Sequence, residues 1–280
     1  MRRAAARLRE LLLTPPVIAP FVFDGLQARA AERAGFHALY LTGFGTAASR
    51  GLPDLGLLGM SEMATAVSVV TGACALPVVA DADTGYGGVL NVARTVAAYE
   101  AAGAAGLHIE DQVWPKRCGF FEGKEVIARA DMVAKVRAAA DARSDPATVL
   151  IARTDALATH GWHDVADRAH AYRDAGADLI FVDGIRNDND LNEYVARLGD
   201  LPLVYNGTAT PPAGSGGGGV QLVLHGASFA AIVGAITEVF ATLAQGSAPA
   251  HGASFGELRD LLGVDTALAA VARYEREALP

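Results

Sequence analysis

The feature that most constrains the fold of this chain is a repeated alternation of short apolar, β-branched runs with alanine-rich helical stretches. The candidate strands are Val17–Phe23, Ala38–Gly43, Pro77–Asp83, Gly106–Asp111, Thr148–Thr154, Leu179–Gly184, Pro202–Gly207 and Val220–Gly226. The helical stretches include Asp24–Ala34, Asn91–Ala102, Asp131–Ala142, His163–Ala175 and Phe229–Ala244. Most strand candidates are continuously apolar, which is typical of strands buried on both faces of a parallel sheet. Eight βα units in about 240 residues predict an α/β protein, a (β/α)8 TIM-type barrel.

One domain is expected for the 280 residues. Residues 1–14 are predicted as an N-terminal helix ended by prolines, 15–245 as the barrel, and 246–280 as extra C-terminal helices that serve oligomerisation. The glycine-rich stretch Ala213–Gly219 predicts a loop where a helix would normally precede the last strand. A doubly wound open sheet remains the alternative, although no GxGxxG follows the first strand, which disfavours dinucleotide binding.

The charge balance narrows the possible partners. The net charge is −8, with 51% hydrophobic and 19% charged residues. An acidic chain gains no electrostatic attraction to nucleic acid or anionic membranes, so neither is predicted as a partner. No stretch has the roughly twenty unbroken apolar residues of a membrane span, and the Arg-rich start lacks a signal-peptide apolar stretch. Two cysteines, Cys74 and Cys118, make no disulfide framework, which favours a reduced, cytoplasmic setting.

The clearest chemical motif is VADADTGYGG, Val79–Gly88. Asp81 and Asp83 stand two apart at a strand end, so both carboxylates are expected on one side of it. Paired carboxylates resist joint ionisation, and a hard divalent cation such as Mg²⁺ resolves their repulsion. The alternative is a helix-capping aspartate followed by turn glycines. In LHIED, Glu110 is placed to complete a metal shell through water, and His108 is either part of this site or a hydrogen-bonded core histidine.

Three further stretches carry candidate catalytic groups. In WPKRCGFFEGKE, Lys116 and Arg117 precede Cys118, and neighbouring cations favour a thiolate suited to acid–base or nucleophilic work, although this signal alone is weak. In IARTDA, Arg153 ends a strand and can hold a carboxylate by two bonds. In RGLPDLG, Asp54 lies on the long loop after the second strand, where a lone aspartate is usually a cap or turn residue.

Taken together, these motifs resemble the isocitrate lyase/phosphoenolpyruvate mutase superfamily from about Ala19 to about Phe240. The resemblance rests on YLTG, GLPDLG, DADTGYGG, HIEDQVWPKRCG and IARTDA, in family order and spacing. The string KRCG is typical of the lyase branch, which includes methylisocitrate and 2,3-dimethylmalate lyases. The resemblance implies a (β/α)8 barrel that binds Mg²⁺ (or Mn²⁺) and an α-oxo carboxylate or its enolate. It also implies a homo-oligomer, a dimer of dimers with a C-terminal helix exchanged between subunits.

The resemblance implies a role for each matching residue. Asp81 would be the direct metal ligand, with Asp83 and Glu110 in its water-linked shell and Asp54 nearby. Cys118 would be the general acid on a gating loop, and Arg153 would bind the pyruvyl carboxylate and oxygen. Thr42 and Gly43 would hold the substrate carboxylate, where the family usually has Ser-Gly. The remaining candidates are Lys116, Arg117 and His108 for catalysis and Tyr40, Phe44, Gly119, Phe120, Asp183, Asn206 and Thr208 for substrate contact.

Several positions depart from the lyase pattern. The lyases have histidine where this chain has Phe120, glutamate where it has Asp183, and an arginine near Ala230 or Ala231. After the seventh strand, YNGTAT keeps only Asn206 and Thr208 as plausible substrate contacts. An unpaired carboxylate in an apolar site is costly. A substrate less charged than methylisocitrate is therefore expected.

The predicted function is a Mg²⁺-dependent C–C lyase that cleaves a 2-hydroxy dicarboxylate-like small molecule through an enolate of pyruvate or a related oxo acid. An oxaloacetate-type hydrolase or decarboxylase, a C–P bond phosphonomutase and an inactive barrel with a binding role remain alternatives. The KRCG cysteine disfavours the phosphonomutase. The retained Asp81, Asp83, Glu110, Cys118 and Arg153 disfavour the inactive barrel.

Overall fold

Eight parallel strands close into a barrel in which each strand pairs with its neighbours in chain order and β8 pairs with β1. The computed structural model describes residues 2–119, 121, 123–209 and 218–277. The strands are β1 (Val17–Val22), β2 (Leu39–Leu41), β3 (Val78–Asp81), β4 (Gly106–Glu110), β5 (Val149–Thr154), β6 (Leu179–Val182), β7 (Pro202–Asn206) and β8 (Gly219–His225). The (β/α)8 prediction is confirmed, and the open doubly wound sheet is wrong.

Helices surround the barrel. They are α1 (Arg2–Leu11), α2 (Gly25–Arg33), α3 (Gly43–Ala48), α4 (Met60–Ala73), α5 (Val89–Ala101), α6 (Arg129–Ala142), α7 (Leu157–Asp174), α8 (Asp188–Leu198), α9 (Ala227–Ala244), α10 (Phe255–Leu262) and α11 (Val264–Glu277). The long loop expected after the second strand was partly wrong, because α3 begins at Gly43 immediately after β2. Asp54 therefore lies between α3 and α4. The stretch 210–217 lies outside the described residues, and the structure assigns no helix to the described residues between β7 and β8.

The barrel has two apolar layers, as parallel strands covered on both faces require. One cluster fills the barrel interior and includes Val79, Ile151 and Phe181. The other lies between strands and helices. The N-terminal end of the barrel is closed by α1, whose Leu8 is fully buried and whose Arg9 pairs with Asp178 at 3.0 Å. The opposite end of the barrel carries the carboxyl ends of the strands, which is where the active sites of such barrels lie.

The last barrel helix, α9, is apolar but unburied. None of its residues is buried, and Val233, Ile236, Phe240 and Leu243 are all at least 44% exposed. Among the described residues it is the one helix long and apolar enough to cross a membrane by length and composition. The spacing of the four side chains places them along one stripe of the helix.

Candidate active site

Polar groups from several strands converge at the carboxyl end of the barrel around a small cavity of about 50 Å³. Asp81 ends β3, Glu110 ends β4, and Arg153 lies next to the end of β5. The polar residues that line the cavity are Tyr40, Thr42, Asp54, Asp81, Lys116, Arg117, Cys118, Arg153, Asp183 and Asn206. Phe44 and Gly119 complete the predicted lining. Ten predicted polar residues from distant parts of the chain are thus brought to one cavity.

Asp81 is held by backbone donors. Its Oδ2 accepts from the Gly43 N–H at 3.1 Å, and its Oδ1 accepts from the Asp83 N–H at 3.0 Å. A Cβ at Gly43 would lie 2.7 Å from Asp81 Oδ2, so only glycine allows this approach. The neighbouring Thr42 hydroxyl caps α3 by accepting from Gly45 N–H at 3.3 Å. The hydroxyl expected to bind substrate therefore also fixes the start of that helix.

Asp83 reaches the site by a different route from the one the sequence suggested. The strand ends at Asp81, and Asp83 has φ 47°, in the left-handed region. Strand alternation was therefore the wrong reason for placing the two aspartates together; a turn after the strand does it. Lys116 Nζ lies 2.9 Å from Asp83 Oδ1 and 2.5 Å from Asp54 Oδ1. One buried ammonium thus joins the cysteine loop to two carboxylates.

His108 lies beneath the cavity rather than in its wall. It is fully buried, with Nε2 2.8 Å from Tyr40 Oη and 3.5 Å from Asp81 Oδ1. Burial lowers the pKa of His108 to about 4, so the imidazole is neutral at pH 7. Its contacts suit orientation of Tyr40 and Asp81 more than direct catalysis.

The carboxyl groups of the site have divergent proton affinities. Burial raises the pKa of Asp81, but two cations outweigh burial and hold that pKa at about 2: His108, which is protonated at the low pH where Asp81 titrates, and Lys116. Burial, with the charge of Asp81, raises the pKa of Asp83 to about 7 against the attraction of Lys116. Burial also raises the pKa of Glu110 well above its usual range. Such crowding of carboxyl groups is what a bound cation relieves.

This cluster can offer a divalent cation only a few direct protein ligands. The described residues hold no group of three or more His, Cys, Asp or Glu side chains arranged to bind a metal. Glu110 Oε1 is nevertheless buried without a hydrogen-bond partner, while Glu110 Oε2 lies 3.2 Å from Arg153 Nε. Mg²⁺ usually keeps several waters and takes one or two carboxylates plus substrate oxygens. The arrangement fits that mode of binding.

Cys118 is carried into the site by the segment after β4. An antiparallel bridge between Gln112 and Val126 closes the base of this segment, and the Cys118 N–H donates to the Asp54 carbonyl at 3.2 Å. The Gln112 side chain bonds both the N–H and the carbonyl of Arg117, each at 2.9 Å. Cys118 is 7% exposed and lines the cavity with Asp81 and Arg153. Cys118 therefore lies beside the carboxylates, as the sequence predicted. Phe120 lies outside the described residues.

Arg153 is oriented by a partner that sequence reasoning missed. Its Nε and Nη2 each bond Asp155 at 2.8 Å, and Nη2 lies 3.3 Å from Asp183 Oδ1. Lys124 Nζ bonds the same two carboxylates at 2.9 and 2.8 Å and the Gly119 carbonyl at 3.1 Å. Two cations and two anions therefore form one buried cluster, which we call the Lys124 quartet (Lys124, Arg153, Asp155, Asp183).

Composition offered a signal for Lys124. Only Lys116, Lys124 and Lys135 are lysines among the 23 basic residues. Two of them are buried at the site, where a single ammonium nitrogen contacts several oxygens, and Lys135 Nζ bonds the Thr84 carbonyl at 2.9 Å. A planar guanidinium does not substitute for an ammonium in such a setting. In this arginine-rich chain, two of the three lysines therefore lie at the site.

Lys124→Met is expected to lower the free energy of unfolding by about 3 kcal/mol, because it leaves two buried carboxylates with one cation. Urea denaturation measures this change. The matched control is Arg129→Met, which removes a surface ion pair with Asp167 whose side chains are 47% and 50% exposed. That control should cost at most about 1 kcal/mol. Equal losses in the two variants would show that the quartet contributes nothing special.

Asn206 and Thr208 lie at different depths. Asn206 ends β7 and lines the small cavity, whereas Thr208 lines only a larger cavity beside it. Ala230 also lines that larger cavity, at the start of α9, as the comparison with the lyase pattern suggested. The site therefore has two parts: the small polar cavity, and the larger cavity beside it that Thr208 and Ala230 line.

A closed (β/α)8 barrel with this cluster at its strand ends defines the class: the chain belongs to the phosphoenolpyruvate mutase/isocitrate lyase superfamily. Within it, the family model described as phosphoenolpyruvate phosphomutase matches residues 8–244. The resemblance stated from the motifs is confirmed.

The chain is 45% identical to 2,3-dimethylmalate lyase of Eubacterium barkeri, over 67% of this chain and 65% of that protein. It is 48% identical to 2-methylisocitrate lyase of Salmonella typhimurium, over 66% of this chain and 64% of that protein. The matched region thus spans slightly less than two thirds of these two relatives.

Solved structures resemble the whole chain. A 2,3-dimethylmalate lyase structure has a TM-score of 0.86 at 37% identity and covers 97% of this chain and 95% of that one. A structure of oxaloacetate acetylhydrolase with 3,3-difluorooxalacetate has a TM-score of 0.88 at 34% identity and covers 98% of both chains. The barrel therefore resembles lyases and a hydrolase of the same superfamily.

Proposed function

We propose that this protein is a Mg²⁺-dependent C–C lyase that cleaves a 2-hydroxy dicarboxylate to an oxo acid and a second carboxylic acid. The observation that carries the proposal is that Cys118, Asp81 and Arg153 line one small buried cavity. This set offers an acid, a metal-binding carboxylate and a carboxylate anchor within one site. The named lyases among the relatives support it, as does the phosphonopyruvate hydrolase structure described with oxalate and Mg++, at 30% identity.

The metal would be held by Asp81 directly, with Asp83 and Glu110 behind bound water, and Mn²⁺ could take its place. When bound, it would stabilise negative charge on the oxo-acid oxygens. Arg153, fixed by Asp155, holds the carboxylate of the oxo-acid half. Thr42 and Gly43, at the start of α3, would hold the same carboxylate of the substrate.

Cleavage then needs one base and one acid. Asp54, which lines the cavity and is bonded to Lys116, takes the proton of the 2-hydroxyl group. The C2–O bond becomes a carbonyl as the C2–C3 bond breaks, and the electron pair passes to C3 and its carboxylate. Cys118 Sγ–H protonates C3. This balance places the enolate-type charge on the acid product rather than on pyruvate, in contrast to the expectation from sequence, and it consumes no water.

The proposal is tested by incubating the protein with 2-hydroxy dicarboxylates and measuring pyruvate or glyoxylate by a coupled dehydrogenase. Release that depends on Mg²⁺ and stops with EDTA supports the lyase. Oxaloacetate is the comparison substrate, because oxaloacetate acetylhydrolase resembles the chain at 34% identity. Oxalate and acetate from oxaloacetate, without cleavage of any 2-hydroxy acid, would replace the lyase by the hydrolase. Failure with every substrate would favour the inactive barrel.

We also propose a cytoplasmic homo-oligomer, a dimer of dimers in which α9 packs against a second copy of this chain. The exposed apolar stripe Val233, Ile236, Phe240 and Leu243 supports it. Replacing both Ile236 and Phe240 by aspartate is expected to reduce the oligomer mass to half or less. Light scattering after size exclusion measures this mass. Glu238→Gln, on the same helix, should keep the original mass. A double variant of unchanged mass contradicts this packing.

A further inference from the structure

A second, larger cavity adjoins the catalytic one. It has a volume of about 470 Å³, and we call it the side cavity. The two cavities share Phe21, Phe44, Gly119, Asp183 and Asn206, so they meet along a common wall. A ligand whose oxo-acid half occupies the 50 Å³ catalytic cavity can therefore extend into the side cavity. The side cavity would then hold the substituent that the substrate carries beyond its reacting atoms.

The walls of the side cavity are mainly aromatic and aliphatic. Phe229 projects from the start of α9 and contacts Phe44, with ring centroids 4.9 Å apart. It is also braced by an edge-to-face contact with Phe23, whose ring centroid lies 5.8 Å away. Val182 and Ile185, at the end of β6 and just after it, are apolar and buried. Aromatic rings braced in this way make a preformed surface for an apolar group.

Two charged side chains lie at the side cavity, and their positions differ. Asp183 is bound to Lys124 at 2.8 Å and lies 3.3 Å from Arg153, so its charge is already balanced. Arg186 also lines the side cavity, but it is exposed, so its charge is solvated by water. A carboxylate among the rings would lose its hydration without gaining a buried cation, which is costly. The walls therefore select against a charged arm.

We propose that the side cavity binds an apolar substituent at C3 of the substrate, a branched alkyl or aryl group, in place of a carboxylate-bearing arm. This assignment rests on the proposed lyase function and gives its substrate class. Each methylene buried there should raise affinity about threefold to fourfold. The aromatic rings then favour an apolar substituent, and the cost of desolvation disfavours a charged one.

The test measures binding without turnover. Cys118→Ser protein with Mg²⁺ is titrated by calorimetry with four 2-hydroxy-2-methylsuccinates, which carry methyl, isobutyl, benzyl or carboxymethyl at C3. We expect isobutyl and benzyl to bind at least tenfold more tightly than methyl, and carboxymethyl to bind most weakly. Carboxymethyl binding as tight as isobutyl overturns the proposal, and so does no binding of any compound. Tight apolar binding without cleavage by the unmodified enzyme would instead refute only the lyase.

Variants locate the effect. Phe229→Ala and Ile185→Ala, made separately, should each reduce the isobutyl-to-methyl affinity ratio by at least threefold. Phe36→Ala is the matched control, since Phe36 lines a cavity with Leu11 and Val17 at the opposite end of the barrel. The control should keep the full ratio. If both side-cavity variants keep it as well, apolar binding occurs elsewhere and the assignment is wrong; if only one folds, that one decides.

Discussion

Cys118→Ser is expected to lower kcat by on the order of 10²-fold or more, because a hydroxyl is a far weaker acid than a thiol at the same place. Substrate affinity should change little, since Arg153, proposed as the substrate anchor, and the carboxylates proposed to bind the metal remain. Steady-state kinetics and calorimetry with the same substrate separate the two effects. Cys118 is suited to this test because it is buried beside the cavity that also holds Asp81.

The chain supplies its own control in its second cysteine. Cys74 ends α4 on the outside of the barrel, where its Sγ lies 3.6 Å from the Val70 carbonyl. Cys74→Ser makes the same chemical change far from the strand ends and should leave kcat unaltered. If Cys118→Ser also turned over at the original rate, Cys118 would not be the acid.

Asp81→Asn is expected to lower kcat/KM by on the order of 10³-fold, because it removes the negative charge that would bind the metal directly. Asparagine has nearly the same shape, and its amide oxygen can still accept from the Gly43 N–H, although the bond from the Asp83 N–H is lost. The fold should therefore be kept. Calorimetric titration with Mg²⁺ should show at least tenfold weaker binding than in the unmodified protein.

The control for that change is Asp167→Asn, which neutralises a half-exposed aspartate paired with Arg129 on the surface. It should alter neither Mg²⁺ binding nor turnover. Undiminished Mg²⁺ binding by Asp81→Asn would mean that another carboxylate is the direct ligand. Glu110, with an unpartnered buried oxygen, would be the next residue to replace.

The eight strands could be predicted because each is a short apolar run covered on both faces. Their ends were less predictable, since DAD and IED continue the sequence pattern after the ladder has stopped at Asp81 and Glu110. Two helices had weak local signals. The short α3 is rich in glycine and depends on the Thr42 cap, and α8 begins in polar residues capped by Asn187.

The site was predictable where a functional side chain ends a strand, as Asp81 and Glu110 do and Arg153 nearly does. The Lys124 quartet was not, because its contacts span 31 residues to Asp155 and 59 to Asp183. No local pattern encodes such pairs; the barrel brings them together by placing the ends of β5 and β6 side by side. Asp83 was placed for the wrong reason, since a left-handed turn directs it.

The scarcity of lysine has a practical consequence for handling this protein. Amine-directed cross-linkers and biotin esters usually react with surface lysines, yet two of the three lysines here are buried at the strand ends and the third is only partly exposed. Labelling at near-neutral pH should therefore favour the α-amino group. Slow additional labelling would report transient exposure of Lys116 or Lys124 at the candidate active site. Immobilisation for surface binding studies would be better directed to a terminal tag.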